Sequence, residues 1–542
     1  MHIEHKYIQY CIFLTSTLFM SLSWLWPKAY QPWLSYTQDL FTFFAVSTLF
    51  ILLINKKINI NFMFLIFICM SAIPLIQYGL GILYYASDAI LVSYYLLFFC
   101  LAYLVGYNFS YYFDKEKIFI FISILIGVCA CISACFSILQ YLGYSFDFLR
   151  YLKGDRPYAN FGQPNNMATF HFMGILSLLY LNQVKRINHQ IFILLSILLI
   201  FSLVISQSRA VWLSFILVFF LSMFASNRKP IIIKLSFLGL IYISISLVLN
   251  TILSSINTTA LERGLGGGWR LEHWKHLIYA IQQKPWFGYG WYQTHIAQLE
   301  GVLLFKNEGY LSSAHNIILD ILLWNGIPLG CLIVSLCFYI LFKILKSKLK
   351  TNEFIMFLII VPILGHSLLE YPLYYAFFLI PFALILGVLS DGIRPIFSLN
   401  EEASKLIFLV LIVVFAFSYQ QIYITMNRLS VASFYSESNQ QLNYPDKIIL
   451  LNKMSIQEEW LLLDALSQVD VNKINIFRNF VMHHPTYYNL MKFSQLLASN
   501  RQYDEARQKL RILNALYSKN HSEDELLKKI DFKGNLTISN AN

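Results

Sequence analysis

Charge is scarce in this sequence. Asp, Glu, Lys and Arg make up 13% of its 542 residues, against roughly 25% in a soluble globular chain. Apolar residues make up 57%, more than one aqueous core can hide, so the chain needs lipid as a solvent. Cysteine offers no framework either: Cys11, Cys69, Cys100, Cys129, Cys131, Cys135, Cys331 and Cys337 all lie within apolar runs. A disulfide scaffold or thiolate metal site therefore has little support, and these residues read as small hydrophobes. The outward-facing segments assigned below also lack a closely spaced acidic pair or a His-x-x-x-His pattern, so neither a bound metal nor a cofactor is expected. The net charge of +11 does not imply nucleic acid, because Lys and Arg fall in short clusters between apolar runs, as in a membrane protein held in one orientation.

The pattern that remains is all-α and polytopic. A hydrocarbon core about 30 Å thick takes about 20 apolar residues as a helix, since unsatisfied backbone groups are too costly in lipid for open structures. That rule gives about thirteen spans, at approximately 7–26, 38–55, 60–77, 88–107, 117–143, 166–183, 190–206, 210–226, 231–251, 316–343, 353–370, 373–390 and 405–425. The first has no small-residue cleavage site and is followed by further spans, so it reads as a retained helix rather than a signal peptide.

Alternate connections sort by charge. Lys56 and Lys57, Lys115 and Lys117, Lys185 and Arg186, Arg228 and Lys229, the set Lys343, Lys346, Lys348 and Lys350, and Arg394 fall on one side, which the positive-inside rule places in the cytoplasm. The other side then holds the segment around Trp33, residues 77–88, 144–165, 206–210, 254–314 and 366–372, and everything after Thr425. The connection of roughly 60 residues before the tenth span is long enough to call for a functional explanation. These features divide the chain into a transmembrane domain at 1–425, with a catalytic loop near 252–315, and a helical region at 426–542. In that region Ile456-Gln-Glu-Glu-Trp-Leu-Leu-Leu-Asp-Ala-Leu and Tyr503-Asp-Glu-Ala-Arg-Gln-Lys-Leu-Arg-Ile-Leu read as amphipathic helices. The second fits either part of a tetratricopeptide-type hairpin or a small helical cap, and the end after Asp531 reads as disordered.

Ionisable groups at a membrane boundary are expensive and mark sites. Arg209, in Ser206-Gln-Ser-Arg-Ala-Val-Trp, stands between two apolar runs and needs either an anionic partner or a lipid phosphate to reach for. Arg270 follows Gly264-Leu-Gly-Gly-Gly-Trp where a helix starts, a pattern that fits a phosphate cradle or a flexible turn. His315, in Ser313-Ala-His-Asn-Ile-Ile-Leu-Asp, falls on the first turn of the tenth span. There an imidazole can accept a proton near neutral pH, although a lone histidine also serves structural roles. Asn160-Phe-Gly-Gln-Pro-Asn-Asn-Met-Ala and His366-Ser-Leu-Leu-Glu-Tyr-Pro-Leu-Tyr-Tyr bring amides, a carboxylate and phenols to the same boundary, with Asn165 as the expected cap of the sixth span.

In order along the chain, Gly162-Gln-Pro-Asn-Asn-Met-Ala, Ser208-Arg209, Trp269-Arg270, Pro285-Trp-Phe-Gly-Tyr-Gly-Trp, Ala314-His-Asn-Ile-Ile-Leu and His366-Ser-Leu-Leu-Glu-Tyr-Pro-Leu resemble the PglL-type bacterial O-oligosaccharyltransferases of the O-antigen ligase and polymerase superfamily. The resemblance spans essentially the whole chain, including the loop at Pro32-Trp33. It implies a GT-C-like membrane fold in the inner membrane and transfer of a glycan from undecaprenyl diphosphate to Ser or Thr of periplasmic, pilin-like proteins. It makes His315 the essential histidine, gives Gln163 and Tyr371 roles at the lipid-linked donor, and makes Arg209 and Arg270 candidates for the diphosphate; Asn165, Asn316 and Glu370 complete the expected site. Direct displacement, without a metal, predicts inversion at the sugar. A rival is the same chemistry on a glycan acceptor, as ligase or polymerase. A second is a transporter of lipid-linked glycans, which predicts charges along the membrane interior and inverted repeats that this sequence does not display.

Overall fold

The computed structural model describes residues 2–522 except 28–32, 153, 226, 254–267, 348, 441, 443 and 445. Pro32, the glycines at 264–267 and the expected disordered end lie outside the described residues. The structure is 72% helical. In chain order the helices are α1 (His2–Leu25), α2 (Tyr36–Phe50), α3 (Phe62–Gly79), α4 (Ala86–Tyr112), α5 (Lys115–Tyr141), α6 (Pro164–Gln183), α7 (His189–Ser206), α8 (Ala210–Ser222), α9 (Arg228–Leu253), α10 (Gly268–Gln283), α11 (Thr294–Leu299) and α12 (Ile317–Lys346). They continue with α13 (Thr351–Ser367), α14 (Ala376–Leu389), α15 (Glu401–Phe434), α16 (Asn452–Leu462), α17 (Val471–Met482), α18 (Tyr487–Ser499) and α19 (Tyr503–Tyr517).

Each expected span falls on a helix. Among the described residues, nine helices are long and apolar enough to cross a membrane: α1 to α5, α7, α9, α12 and α15. Helices α8, α13 and α14 are shorter apolar helices, and α6 carries Asn165, Asn166, Thr169 and His171 among its apolar residues. The chain divides into two compact units, one formed by residues 1–71, 94–265 and 336–414, the other by 72–93, 266–335 and 415–542.

In the first unit α6 is the central helix. Every residue from Asn166 to Leu181 is buried, as befits a helix with neighbours on all sides; α5, α7, α8 and α13 pack around it. The buried imidazole on α6 is paired rather than left in an apolar medium: His171 bonds Ser133 Oγ at 3.0 Å and Ser202 Oγ at 2.9 Å. Helices α4 and α14 approach through Gly106 and Gly387, where a methyl on either would overlap the other helix's backbone. Small residues permit such contacts where lipid supplies no hydrophobic drive between helices. The one pair of strands among the described residues, β1 (Ile58–Ile60) and β2 (Phe397–Leu399), runs antiparallel with Asn59 opposite Ser398.

The second unit is organised around a break in α12. The sequence predicts an unbroken tenth span; instead Gly326 adopts φ 74° and ψ 175°, two residues before Pro328, which cannot donate a backbone hydrogen bond. The break leaves carbonyls without helical partners. Tyr289 N donates to Leu323 O at 2.9 Å, Gly290 N donates to Trp324 O at 3.0 Å, and Ile327 N donates to Pro285 O at 2.7 Å. The glycine-rich segment after α10 is thereby stitched into the break. A Cβ on Gly288 would meet the Gly326 nitrogen at 2.5 Å, so only glycine fits there.

The amphipathic stretches of the C-terminal region form α16 and α19, and α18 and α19 make a helical hairpin closed at Arg501. Trp460, Ile474, Phe477, Phe480, Phe493 and Leu513 build its core, which also takes in Val302 and Tyr310 from the long connection.

Candidate active site

Of the expected site residues, Gln163, Asn165, Arg209, Glu370 and Tyr371 belong to the first unit, and Arg270, His315 and Asn316 to the second.

In the first unit the expected cap is corrected. Gln163, extended at φ −145°, is the N-cap of α6, and Pro164 takes the first helical position. Proline's fixed φ suits that position and its missing N–H is no loss there. Asn165 lies one residue inside the helix, so its amide is available for side chains. Its Oδ1 accepts from Ser208 Oγ at 2.8 Å and from Arg156 Nη2 at 3.2 Å, and its Nδ2 reaches Glu370 Oε1 at 3.5 Å. Arg156 Nε also donates to Ser206 O at 2.7 Å, a carbonyl at the end of α7. Thr169 Oγ1 bonds His366 Nδ1 at 2.9 Å behind this cluster. Burial, and then the neighbouring Glu370, raise the Tyr371 phenol above its usual value, so it remains an O–H donor at neutral pH.

Arg209 is the N-cap residue of α8 and makes no side-chain cap. A cation at the positive end of a helix dipole does nothing for that helix. Arg270 is the third residue of α10, in the second unit.

His315 is also corrected: it precedes α12 rather than lying on its first turn. Its backbone is left-handed at φ 53°, an unfavourable conformation for a residue with a side chain. Asn316 provides the cap, its Oδ1 accepting from Ile318 N at 3.0 Å and Leu319 N at 3.2 Å. What holds His315 in place is Asp320, buried one turn into the helix. Its Oδ1 accepts from Ala314 N and from Thr294 Oγ1, both at 2.8 Å, and its Oδ2 accepts from Ser313 Oγ at 2.6 Å. Ser313 Oγ in turn accepts from His315 N at 3.0 Å. Helix α10 braces the same segment, with Trp274 Nε1 donating to Ala314 O at 2.9 Å. His273, next to Trp274, hydrogen-bonds the Ser313 backbone; burial first, then the charges of His315 and His276, push its pKa down to about 4. It is therefore a neutral neighbour of His315 at neutral pH.

Sequence reasoning missed Arg156, Asp320 and His273. Asp320 had left a signal, as a carboxylate in an otherwise apolar helical turn; Arg156 sits in an irregular loop whose path no local pattern specifies. Among the described residues no group of three His, Cys, Asp or Glu could hold a metal ion.

Residues 194–334 match the family described as O-antigen ligase, and residues 354–529 the family described as virulence factor membrane-bound polymerase, C-terminal. No solved structure matches. The ComP-specific O-oligosaccharyltransferase of Acinetobacter baylyi is 31% identical over 346 residues, 62% of each chain. The general O-oligosaccharyltransferase of the same organism is 31% identical over 96% of this chain and 94% of its own. With that relationship running nearly end to end, the chain belongs to the O-oligosaccharyltransferases, glycosyltransferases that act on proteins.

Proposed function

We propose that this chain moves an oligosaccharide from undecaprenyl diphosphate to a Ser or Thr hydroxyl of a periplasmic protein such as a pilin, at the periplasmic face of the inner membrane. The observation that carries the reading is the presentation of His315. A strained left-handed backbone is maintained by a buried carboxylate and a serine relay, and such strain persists where surrounding structure over-determines it, as at functional sites.

In this reading His315 accepts the proton of the acceptor hydroxyl. The oxygen forms its bond to the anomeric carbon as the bond from that carbon to the diphosphate oxygen breaks, and the electron pair leaves with the carrier diphosphate. Attack from the opposite face inverts the sugar, and no metal takes part. Arg209 and Arg270, each at a helix N-terminus, stabilise the charge that develops on the diphosphate. Gln163 and Tyr371 contact the donor. Asn165 and Glu370 orient that polar group, and Asn316 fixes the start of α12 beside His315. The domain at 1–425 carries the chemistry, and the helical region after it contributes to acceptor recognition.

The test is transfer by the purified full-length protein from a lipid-linked donor to a periplasmic acceptor, followed by mass spectrometry of glycopeptides. His315→Ala should abolish transfer while the protein remains folded in the membrane. Transfer at the wild-type level by that variant would overturn the assignment. Glycan appearing on lipopolysaccharide and absent from protein would favour the ligase reading.

A further inference from the structure

The connection between α10 and α11 presents two large apolar side chains outward: Trp286 is 71% exposed and Phe287 68%. The backbone beneath them is not loose. Ile327 N donates to the Pro285 carbonyl at 2.7 Å, Gly288 N closes a turn onto Lys284 O at 3.2 Å, and residues 289 and 290 bond the carbonyls freed at the break in α12. A Cβ at Gly326 would meet the Trp286 carbonyl carbon at 2.5 Å. Trp286 and Phe287 are thus fastened to α12 at a fixed level along it.

That level can be read from the helix. Ile327 to Phe342 contains no charged residue, and Lys343 follows. At 1.5 Å per residue the stretch covers about 24 Å, most of a hydrocarbon core about 30 Å thick. Ile327 and Leu332 on this span are 44% and 54% exposed, the condition of side chains that face lipid. The break at Gly326 therefore falls at the membrane boundary remote from Lys343. Tryptophan concentrates at that depth, where an amphipathic ring meets headgroups on one side and acyl chains on the other. Lys284, exposed beside the pair, holds its ammonium over the ring of Tyr289 at 4.7 Å from the centroid.

We propose that residues 285–287 form an interfacial membrane anchor, with Trp286 and Phe287 lodged among the headgroups and first acyl carbons of the bilayer at the Gly326 end of α12. Because α10 leads directly into this turn and also holds Ala314 through Trp274, the anchor ties the segment that presents His315 to the lipid surface. The occupant is bulk lipid, recognised by aromatic and aliphatic contact.

The experiment uses the full-length chain in phosphatidylcholine and phosphatidylglycerol vesicles, with the native cysteines replaced and a nitroxide attached at Trp286→Cys or Phe287→Cys. Leu332→Cys serves as the lipid reference and the exposed Lys306→Cys as the aqueous one. Labels at 286 and 287 should be several-fold less accessible to a water-soluble nickel complex than the label at 306, with oxygen access raised toward that at 332. As a second measurement in the native background, Trp286→Phe should lower the fluorescence quenched by lipids brominated near the headgroup. Nickel access equal to that at 306 would overturn the anchor. So would protection from both nickel and oxygen, which would mean coverage by protein.

Discussion

Asp320→Asn is the substitution that most directly tests how His315 is held. Asparagine keeps the shape and one acceptor oxygen, so the bonds from Ala314 N and Thr294 Oγ1 can survive on it, now without a charge to strengthen them. The other oxygen becomes an amide NH2 and can no longer accept from Ser313 Oγ. The hydroxyl proton must find another acceptor, and the oxygen that accepts from the His315 N–H loses the charged partner that orients it. A hydrogen bond to a charged group contributes about 1.5–3 kcal/mol, so losing the one from Ser313 alone gives a deficit of roughly 2–3 kcal/mol. If this free energy serves to keep the imidazole in its left-handed setting, the transfer rate falls by about 30- to 150-fold. The assay is the initial rate of glycan transfer by purified enzyme at saturating donor and acceptor, beside a melting temperature in the same detergent. A folded Asp320→Asn protein working within about threefold of wild type, a difference of under 1 kcal/mol in barrier, would refute the claim that Asp320 positions the base.

Three further outcomes follow from the same geometry. Arg156→Gln leaves the Ser206 carbonyl and the Asn165 amide short of a donor, and should lower kcat/KM for the lipid-linked donor by about tenfold or more. Arg156→Lys, which keeps the charge but cannot bridge both acceptors, should recover only part of this, as donor titrations will show. For His273 the folded pKa near 4 lies below the ordinary 6.5, so the unfolded chain binds the extra proton first. Stability is then intact above pH 6.5 and declines as pH falls toward 4, by up to about 3 kcal/mol from this residue; chemical denaturation at pH 7 and pH 4.5 should show the decline, and His273→Gln should reduce it. Gly326→Ala places a side chain at φ 74° against the Trp286 backbone, which should cost about 2 kcal/mol or more and appear as a lower melting temperature with reduced yield of monodisperse protein.

The membrane helices were legible in the sequence because lipid imposes a length and a polarity that few other constraints override. Each expected span falls on a helix, and even the four short or polar ones, α6, α8, α13 and α14, were visible as apolar runs. The local structure of the candidate site was less legible, and the failures share a cause. Capping preference alone favours Asn165 over Gln163, yet Pro164 can take only the first helical position, and that moves Asn165 inward to meet Arg156, Ser208 and Glu370. Local pattern alone puts His315 on the helix, yet Asn316 has the better cap and Asp320 reaches back seven and six residues to fix Ser313 and Ala314. In α12 the sequence Asn325-Gly-Ile-Pro holds a breaker signal, but hydropathy reads through it. The donors that meet the carbonyls freed at the break come from residues 289 and 290 and from the Gln77 side chain, far from it along the chain. In each case the decisive hydrogen bond is one that periodicity does not show: at Asn165 and Gly326 it comes from distant residues, and at His315 from Asp320 inside the same motif, folded back onto Ser313 and Ala314. Polar residues at a membrane boundary therefore locate a site sooner than they explain it: their cost in lipid can be read from the sequence, whereas the hydrogen bonds that offset the cost require the fold.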